Sequence, residues 1–236
     1  MQPAKTKGDV KMLEIPVINI VGMRCKPEEE ARFNKWYDET HIPMLMKFKN
    51  LQAVARFKIL KEIPDYPTYL AVYQFLNKES YEAYEKSPEL AKALAETKVS
   101  WPNGLDRMWR VQYEHLRDWH GDIKGAGRGK PLLHIVGAHP TPEDEIRFNK
   151  WYDRTHVPWL MKTGVIKEAV RYKILKDSKD YPQYLAVYYF QSKKDWSTFS
   201  EHPERLAAVK ELQESWPDGI GTTWRVQYQM LKSWSK

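Results

Sequence analysis

The chain has 236 residues, 38 Lys+Arg against 31 Asp+Glu, a formal net charge of +7, 42% hydrophobic residues and one cysteine. This composition excludes a disordered chain. No apolar run reaches the roughly 18 residues that span a bilayer, and Cys25 alone builds neither an internal disulfide framework nor a multi-cysteine zinc site.

In chain order, residues 1–13 are polar, lack a signal-peptide core and read as a tail, so the expected location is the cytoplasm. An apolar strand covers Glu14–Gly22. A helix follows, opened by Pro27-Glu28-Glu29-Glu30, since proline and acids favour a first turn. Phe33 and Tyr37, four apart, share one face of it. Pro43 should break or restart that helix, because an internal proline removes a hydrogen bond. Strands at Val54–Lys61 and Thr68–Phe75 flank a turn at Asp65-Tyr66-Pro67. In the second of these strands Tyr69, Ala71, Tyr73 and Phe75 alternate onto one face. A second helix over Lys78–Lys98 and a turn at Trp101-Pro102-Asn103-Gly104 lead into a last strand, Arg107–His115.

The same elements then recur. FNKWYDETHIPMLMK from Phe33 returns as FNKWYDRTHVPWLMK from Phe148, and YLAVY, Trp-Pro-x-Gly and WRVQY repeat at the same offset of 115. Val17–Trp119 aligns on the second half without a gap, with 49 identities in 103 positions. The expected organisation is repeat 1 at 14–119, a glycine-rich linker at 120–131 and repeat 2 at 132–236. The linker glycines Gly125, Gly127 and Gly129 follow no strand and make no phosphate loop. Strand-helix-strand-strand-helix-strand is the ferredoxin-like βαββαβ unit, of class α+β. Helices on one face leave the other face of each sheet bare. Two tandem units should therefore cover each other as an intrachain pseudo-dimeric α+β barrel, with one pocket per repeat between sheet and helices.

Residues 1–13, 117–131 and 229–236 hold +6 of the +7 charge. The excess thus falls on segments that read as tails and linker, which argues against a nucleic-acid surface.

Chemistry concentrates in F-N-K-W-Y-D-x-T-H-[IV]-P. Of seven histidines only His41 and His156 occupy equivalent positions. Asp38 and Asp153, three residues earlier, could orient the imidazoles if the helix continues, and Tyr37 and Tyr152 could supply phenol donors. That set suits general acid–base work at neutral pH. An equally open reading makes each histidine a brace of the turn before its proline. Trp36, Trp151, Tyr69, Tyr73, Tyr184 and Tyr188 are candidate ligand contacts or core. Arg110 and Arg225 face away from Trp109 and Trp224, to form salt bridges or to anchor a carboxylate. One shared histidine per repeat falls short of a metal site, and Cys25 faces Pro140, so no metal, cofactor or common thiol nucleophile is expected.

On F-x-x-W-Y-x-x-x-H-[IV]-P the chain resembles the EthD-like branch of the dimeric α+β-barrel superfamily across both repeats. Related families include muconolactone isomerases, polyketide cyclases and dehydratases, and small cofactor-free monooxygenases. The resemblance implies His41 and His156 as the family histidine and Trp36, Tyr37, Trp151 and Tyr152 as pocket aromatics. Most relatives are single-unit homodimers. Fusion lets the halves diverge, as at Met44/Trp159, Gln74/Tyr189 and Asn19/His134.

The reading is a cofactor-free isomerase, cyclase, dehydratase or other lyase acting on a small hydrophobic or aromatic oxygenated metabolite, with no nucleic-acid or membrane partner and room for further homo-oligomerisation. The alternatives are a non-catalytic or stress-associated ligand-binding barrel and, third, a cofactor-free or haem-dependent oxygenase.

Overall fold

Strands β1 (Val17–Arg24), β2 (Leu51–Ile59), β3 (Tyr69–Phe75) and β4 (Asp106–His120) come from the first repeat. Strands β5 (Leu132–Ala138), β6 (Glu168–Ile174), β7 (Tyr184–Phe190) and β8 (Thr222–Ser235) come from the second. The computed structural model describes residues 16–101, 103–122 and 130–236, so the amino-terminal tail and most of the linker lie outside the described residues. The strands close into one barrel in the order β1-β3-β2-β8-β5-β7-β6-β4. The two ferredoxin-like units are joined by antiparallel pairing of β2 with β8 and of β4 with β6. Closure leaves no sheet edge unpaired.

The last strand of each repeat is longer than its apolar pattern. β4 pairs with β1 as far as Glu114, and from Tyr113 to His120 it pairs with β6. β8 likewise passes from β5 to β2. Arg117 and Lys232, assigned by composition to linker and tail, therefore lie on strands. Alternating polar and apolar residues there mark a ladder with one buried face.

Side-chain alternation builds three cores. Leu70, Trp109, Val111 and Tyr113 point into the barrel with Leu185, Trp224, Val226 and Tyr228. Tyr69, Ala71, Tyr73 and Phe75 point outward onto the helices, as do their counterparts in the second repeat. At the centre the Trp109 and Trp224 rings stack at 4.0 Å and 8°. Tyr113 donates to Pro182 O at 2.9 Å and Tyr228 to Pro67 O at 2.8 Å, so each last strand holds the other repeat's Asp-Tyr-Pro turn. Gly22 and Gly137 lie under those turns, where an added Cβ would come within 2.6 Å of Pro67 or Pro182 Cγ.

The first helix differs from expectation. α1 (Glu30–Trp36) continues through a π-turn at Tyr37–His41 into α2 (Ile42–Leu45), with helical dihedrals and an Ile42 N–H→Tyr37 O bond. Pro43 has no N–H, and its ring would press on the carbonyl four residues back; a wider turn relieves the conflict without ending the helix. The second repeat does the same with α5 (Glu145–Trp151), a π-turn at Tyr152–His156 and α6 (Val157–Met161). The single helix expected over Lys78–Lys98 is two, α3 (Lys78–Glu85) and α4 (Pro88–Ser100). Ser87 is held extended before Pro88 and caps Leu90 N–H at 3.1 Å. Their counterparts are α7 (Lys193–Glu201) and α8 (Pro203–Ser215).

Trp109→Ala and Trp224→Ala should each remove about 3–5 kcal/mol of stability in urea unfolding. The double variant should lose less than the sum, since each ring is the other's partner. Strict additivity would show that the stack does not join the halves.

Candidate functional site

The π-turns set the direction of every motif side chain. In a turn of this width residues three apart no longer stack, and Asp38 points away from His41. It accepts a charge-assisted hydrogen bond from Arg56 of β2, which is 1% exposed and also bonds Asn34 Oδ1 at 2.7 Å. Asp153 takes the same partner in Arg171. The expected carboxylate–imidazole pairs are therefore absent. Tyr69 and Tyr184 are also placed elsewhere: their phenols donate to Glu30 and Glu145, beside Lys58 and Lys173.

What gathers around His41 is a cavity of about 410 Å³ between the outer face of the first sheet and α4. Trp36, Tyr37 and Tyr73 line it, with Asn19, Arg107 and Arg110 as polar neighbours and Leu45, Leu90, Leu94 and Leu105 as apolar wall. The His41 ring packs on Trp36 at 4.8 Å, and Trp36 Nε1 donates to Glu96 at 2.9 Å. Thr97 spends its proton on Ala93 O at 2.7 Å, so its 3.4 Å contact with His41 Nδ1 has Nδ1–H as donor. Nε2 is left as an acceptor with no protein partner among the described residues. Burial pulls the His41 pKa down to about 4, partly offset by Glu96, so the imidazole is neutral at pH 7. Tyr37 and Tyr73 share a 2.7 Å hydrogen bond, and burial raises both above the usual phenol value, keeping them protonated. Arg110 pairs with Glu85 at 2.5 Å, whereas Arg107 has no ion pair among the described residues.

The second repeat keeps the motif but closes the space. Around His156 the cavity is about 70 Å³. Arg205 stands where the first repeat has Leu90, His134 where it has Asn19, Leu212 where it has Thr97 and Phe199 where it has Tyr84. Trp196, counterpart of Tyr81, packs on His134 at 4.7 Å. Tyr152 and Tyr188 line this cavity with their hydroxyls 3.4 Å apart, while Trp151 supports His156 from behind at 4.6 Å. Leu212 offers no hydroxyl, and His156 Nδ1 is buried without a partner. Of the three divergent pairs named from the sequence, only Asn19/His134 lies in the cavities.

A larger hollow of about 770 Å³ lies beside the first cavity, bordered by Arg24, Cys25, Lys26, Arg32 and Trp101 and sharing Leu105 with it. It holds none of the histidine and tyrosine groups. Burial raises the Cys25 thiol to about 11, so it is not a poised thiolate. Among the described residues no group of three or more His, Cys, Asp or Glu could hold a metal ion, and no helix is long and apolar enough to cross a membrane.

Arg107, Thr97 and Leu90 were missed by sequence reasoning. Their signal was available: at the offset of 115 they face Thr222, Leu212 and Arg205, changes of chemistry within an otherwise conservative alignment.

The profile of a domain of unknown function, DUF4286, matches residues 17–100 and again 133–220. No curated protein matches the sequence. Among solved structures, a monooxygenase candidate from Fusobacterium nucleatum superposes with a TM-score of 0.66 at 10% identity, covering 95% of this chain and 96% of that one. An anthrone oxidase-like protein gives 0.64 at 14%, covering 95% and 94%. A mutant chlorite dismutase from Candidatus Nitrospira defluvii gives 0.56 at 8%, covering 92% of each. At these identities the likeness establishes the shared barrel fold.

Burial depresses the pKa of His41 to about 4 and of His134 and His156 to about 3. Such a group contributes stability that is complete above its ordinary value of 6.5 and is lost as the pH falls toward the folded value. Each adds about 1.4 kcal/mol per pH unit to the acid slope inside that window. His134→Asn, which restores the first repeat's residue, should flatten the slope of stability against pH by that amount between about pH 6 and pH 4. An unchanged slope in urea titrations would show that His134 is not buried neutral.

Proposed function

The chain belongs to the DUF4286 family, twice in one polypeptide, and we propose that its first repeat is a single-site enzyme moving a proton on a small oxygenated aromatic substrate. The observation that carries this reading is the cavity of about 410 Å³ in which neutral His41 offers Nε2 beside the Tyr37–Tyr73 phenol pair and Arg107. Its volume suits a two- or three-ring compound.

His41 Nε2 takes a proton from an acidic carbon or phenol of the substrate. Negative charge then appears on the substrate oxygen, where Arg107 and the Tyr73 phenol stabilise it. The imidazolium–enolate pair compensates the burial that keeps His41 neutral in the free protein. Returning the proton to a different carbon completes an isomerisation; giving it to the oxygen of a substrate carbonyl that the carbanion has attacked completes a cyclisation, and giving it to a β-hydroxyl that leaves as water completes a dehydration. The anthrone oxidase-like neighbour supports a second outcome of the same first step. In it the carbanion of an anthrone transfers electrons to O₂, and loss of water from the resulting hydroperoxide gives the anthraquinone.

A haem-dependent oxygenase is the third reading, and it predicts a Soret band on haem titration. EthD-like kinship rests on the motif around His41 and adds the histidine's role by resemblance.

Anthrone is a direct probe. With O₂ removed, NMR follows deuterium exchange at its acidic carbon; with O₂ present, oxygen uptake follows oxidation. The protein should accelerate exchange, and His41→Asn should lower the acceleration by about 100-fold or more, whereas His156→Asn should retain most of it. The exchange rate should rise through about pH 4 and stay level above it, as the base must be neutral. Binding without any acceleration of exchange would make the chain a ligand-binding barrel instead.

A further inference from the structure

The cavity of the second repeat is too small for the substrate of the first, yet it is not an apolar plug. Arg205 and Arg225 both line its roughly 70 Å³, together with His134, His156, Tyr152 and Tyr188. No carboxylate lies within ion-pair distance of either arginine among the described residues. In the first repeat Arg110 is answered by Glu85 at 2.5 Å; the residue facing Glu85 in the alignment is Ser200. Relative to the first repeat, the second thus lacks an acid and has a second guanidinium in place of Leu90. On α8, Glu211 is turned to Trp151 at 2.8 Å and Ser215 at 2.6 Å, and Glu204 accepts from Trp159 at 2.8 Å. Arg225 also depresses the pKa of Arg205, behind the larger effect of burial, as expected of two cations facing one space.

One buried polar atom of this cavity lacks a partner, although Arg205 itself donates to Ser200 O at 3.2 Å. His156 is 8% exposed and lines the cavity, and its Nδ1 has no hydrogen bond. In the Tyr152–Tyr188 hydrogen bond, 3.4 Å long, one hydroxyl donates to the other, so the second phenol proton is available. A buried imidazole nitrogen without a partner is costly and two guanidiniums facing one space repel, and one small anion would answer both. Liquid water takes about 30 Å³ per molecule, so the space holds about two waters or one oxyanion of similar size.

We infer that the second repeat binds a single small oxyanion, of the size of phosphate or nitrate, between Arg205, Arg225 and His156. The guanidiniums supply charge-assisted donors, His156 Nδ1–H and a phenol complete the shell, and the anion fastens α8 to the outer face of the barrel. The first repeat, with Leu90 and Glu85 at these places, does not share the site.

Thermal unfolding at fixed ionic strength tests this, with sodium phosphate or nitrate exchanged for chloride. Phosphate or nitrate should raise the Tm by a few degrees, saturating with concentration, and calorimetry should give one ion per chain. Arg205→Leu, which installs the first repeat's residue, should abolish the shift. Ser200→Glu, which restores the acid opposite Arg225, should reduce it at least about tenfold in apparent affinity. The shift within each variant is the readout, so a change in its baseline stability does not obscure the result. A shift that chloride reproduces, that never saturates, or that survives both substitutions would overturn the anion site.

Discussion

A four-stranded sheet with helices on one face cannot remain folded with its other face in water, and this constraint organises the molecule. Two copies on one chain cover each other: β4 and β8 each cross into the partner repeat and close a single barrel. The Trp109–Trp224 stack and the reciprocal tyrosine bonds to Pro67 and Pro182 fix the halves in register. Because the inner faces are consumed by this contact, the two histidine cavities lie between each sheet's outer face and its own helices. The fold thus dictates two potential sites placed far from the interface that stabilises it.

Covalent fusion frees those sites from symmetry. The inner core is nearly duplicated residue for residue, whereas the outer cavities have diverged in volume and in charge. One has a neutral imidazole with a free acceptor nitrogen, a phenol pair and Arg107, which has no ion pair among the described residues. The other spends its space on Arg205, His134 and the packing of Trp196. The scaffold beneath both is the same: Arg56 and Arg171, each 1% exposed, clamp Asp38 and Asp153 and lie over the Tyr37 and Tyr152 rings at 4.5 and 4.6 Å. These buried ion pairs account for the persistence of Asp38 and Asp153 in the motif without a role at the imidazole.

The fold class was legible because repetition and strand alternation depend on local patterns, and the ferredoxin-like order follows from them. The joining of β2 to β8 was not, since pairing across the repeats has no local signature beyond the length of β4 and β8. His41, Trp36 and Tyr37 were named from the motif and Tyr73 from strand alternation, and the four do meet in one cavity. Asp38 and Asp153 would reach the imidazoles only on a regular helix, and a π-turn runs through Tyr37–His41 and Tyr152–His156 instead; Tyr69 and Tyr184 lie on β3 and β7, where Glu30 and Glu145 take their phenols. Thr97, Arg107 and Leu90 lie on other elements, so only the barrel brings them to His41.

The central claim is that one chain carries one substrate site, in the first repeat. Calorimetric titration with naphthol, comparing the natural chain with Leu90→Arg and Arg205→Leu, addresses it directly. The account predicts one bound naphthol per chain, lost when Leu90 is replaced by arginine and retained when Arg205 is replaced by leucine. Two equivalent sites, or a single site that survives Leu90→Arg and disappears with Arg205→Leu, would contradict it.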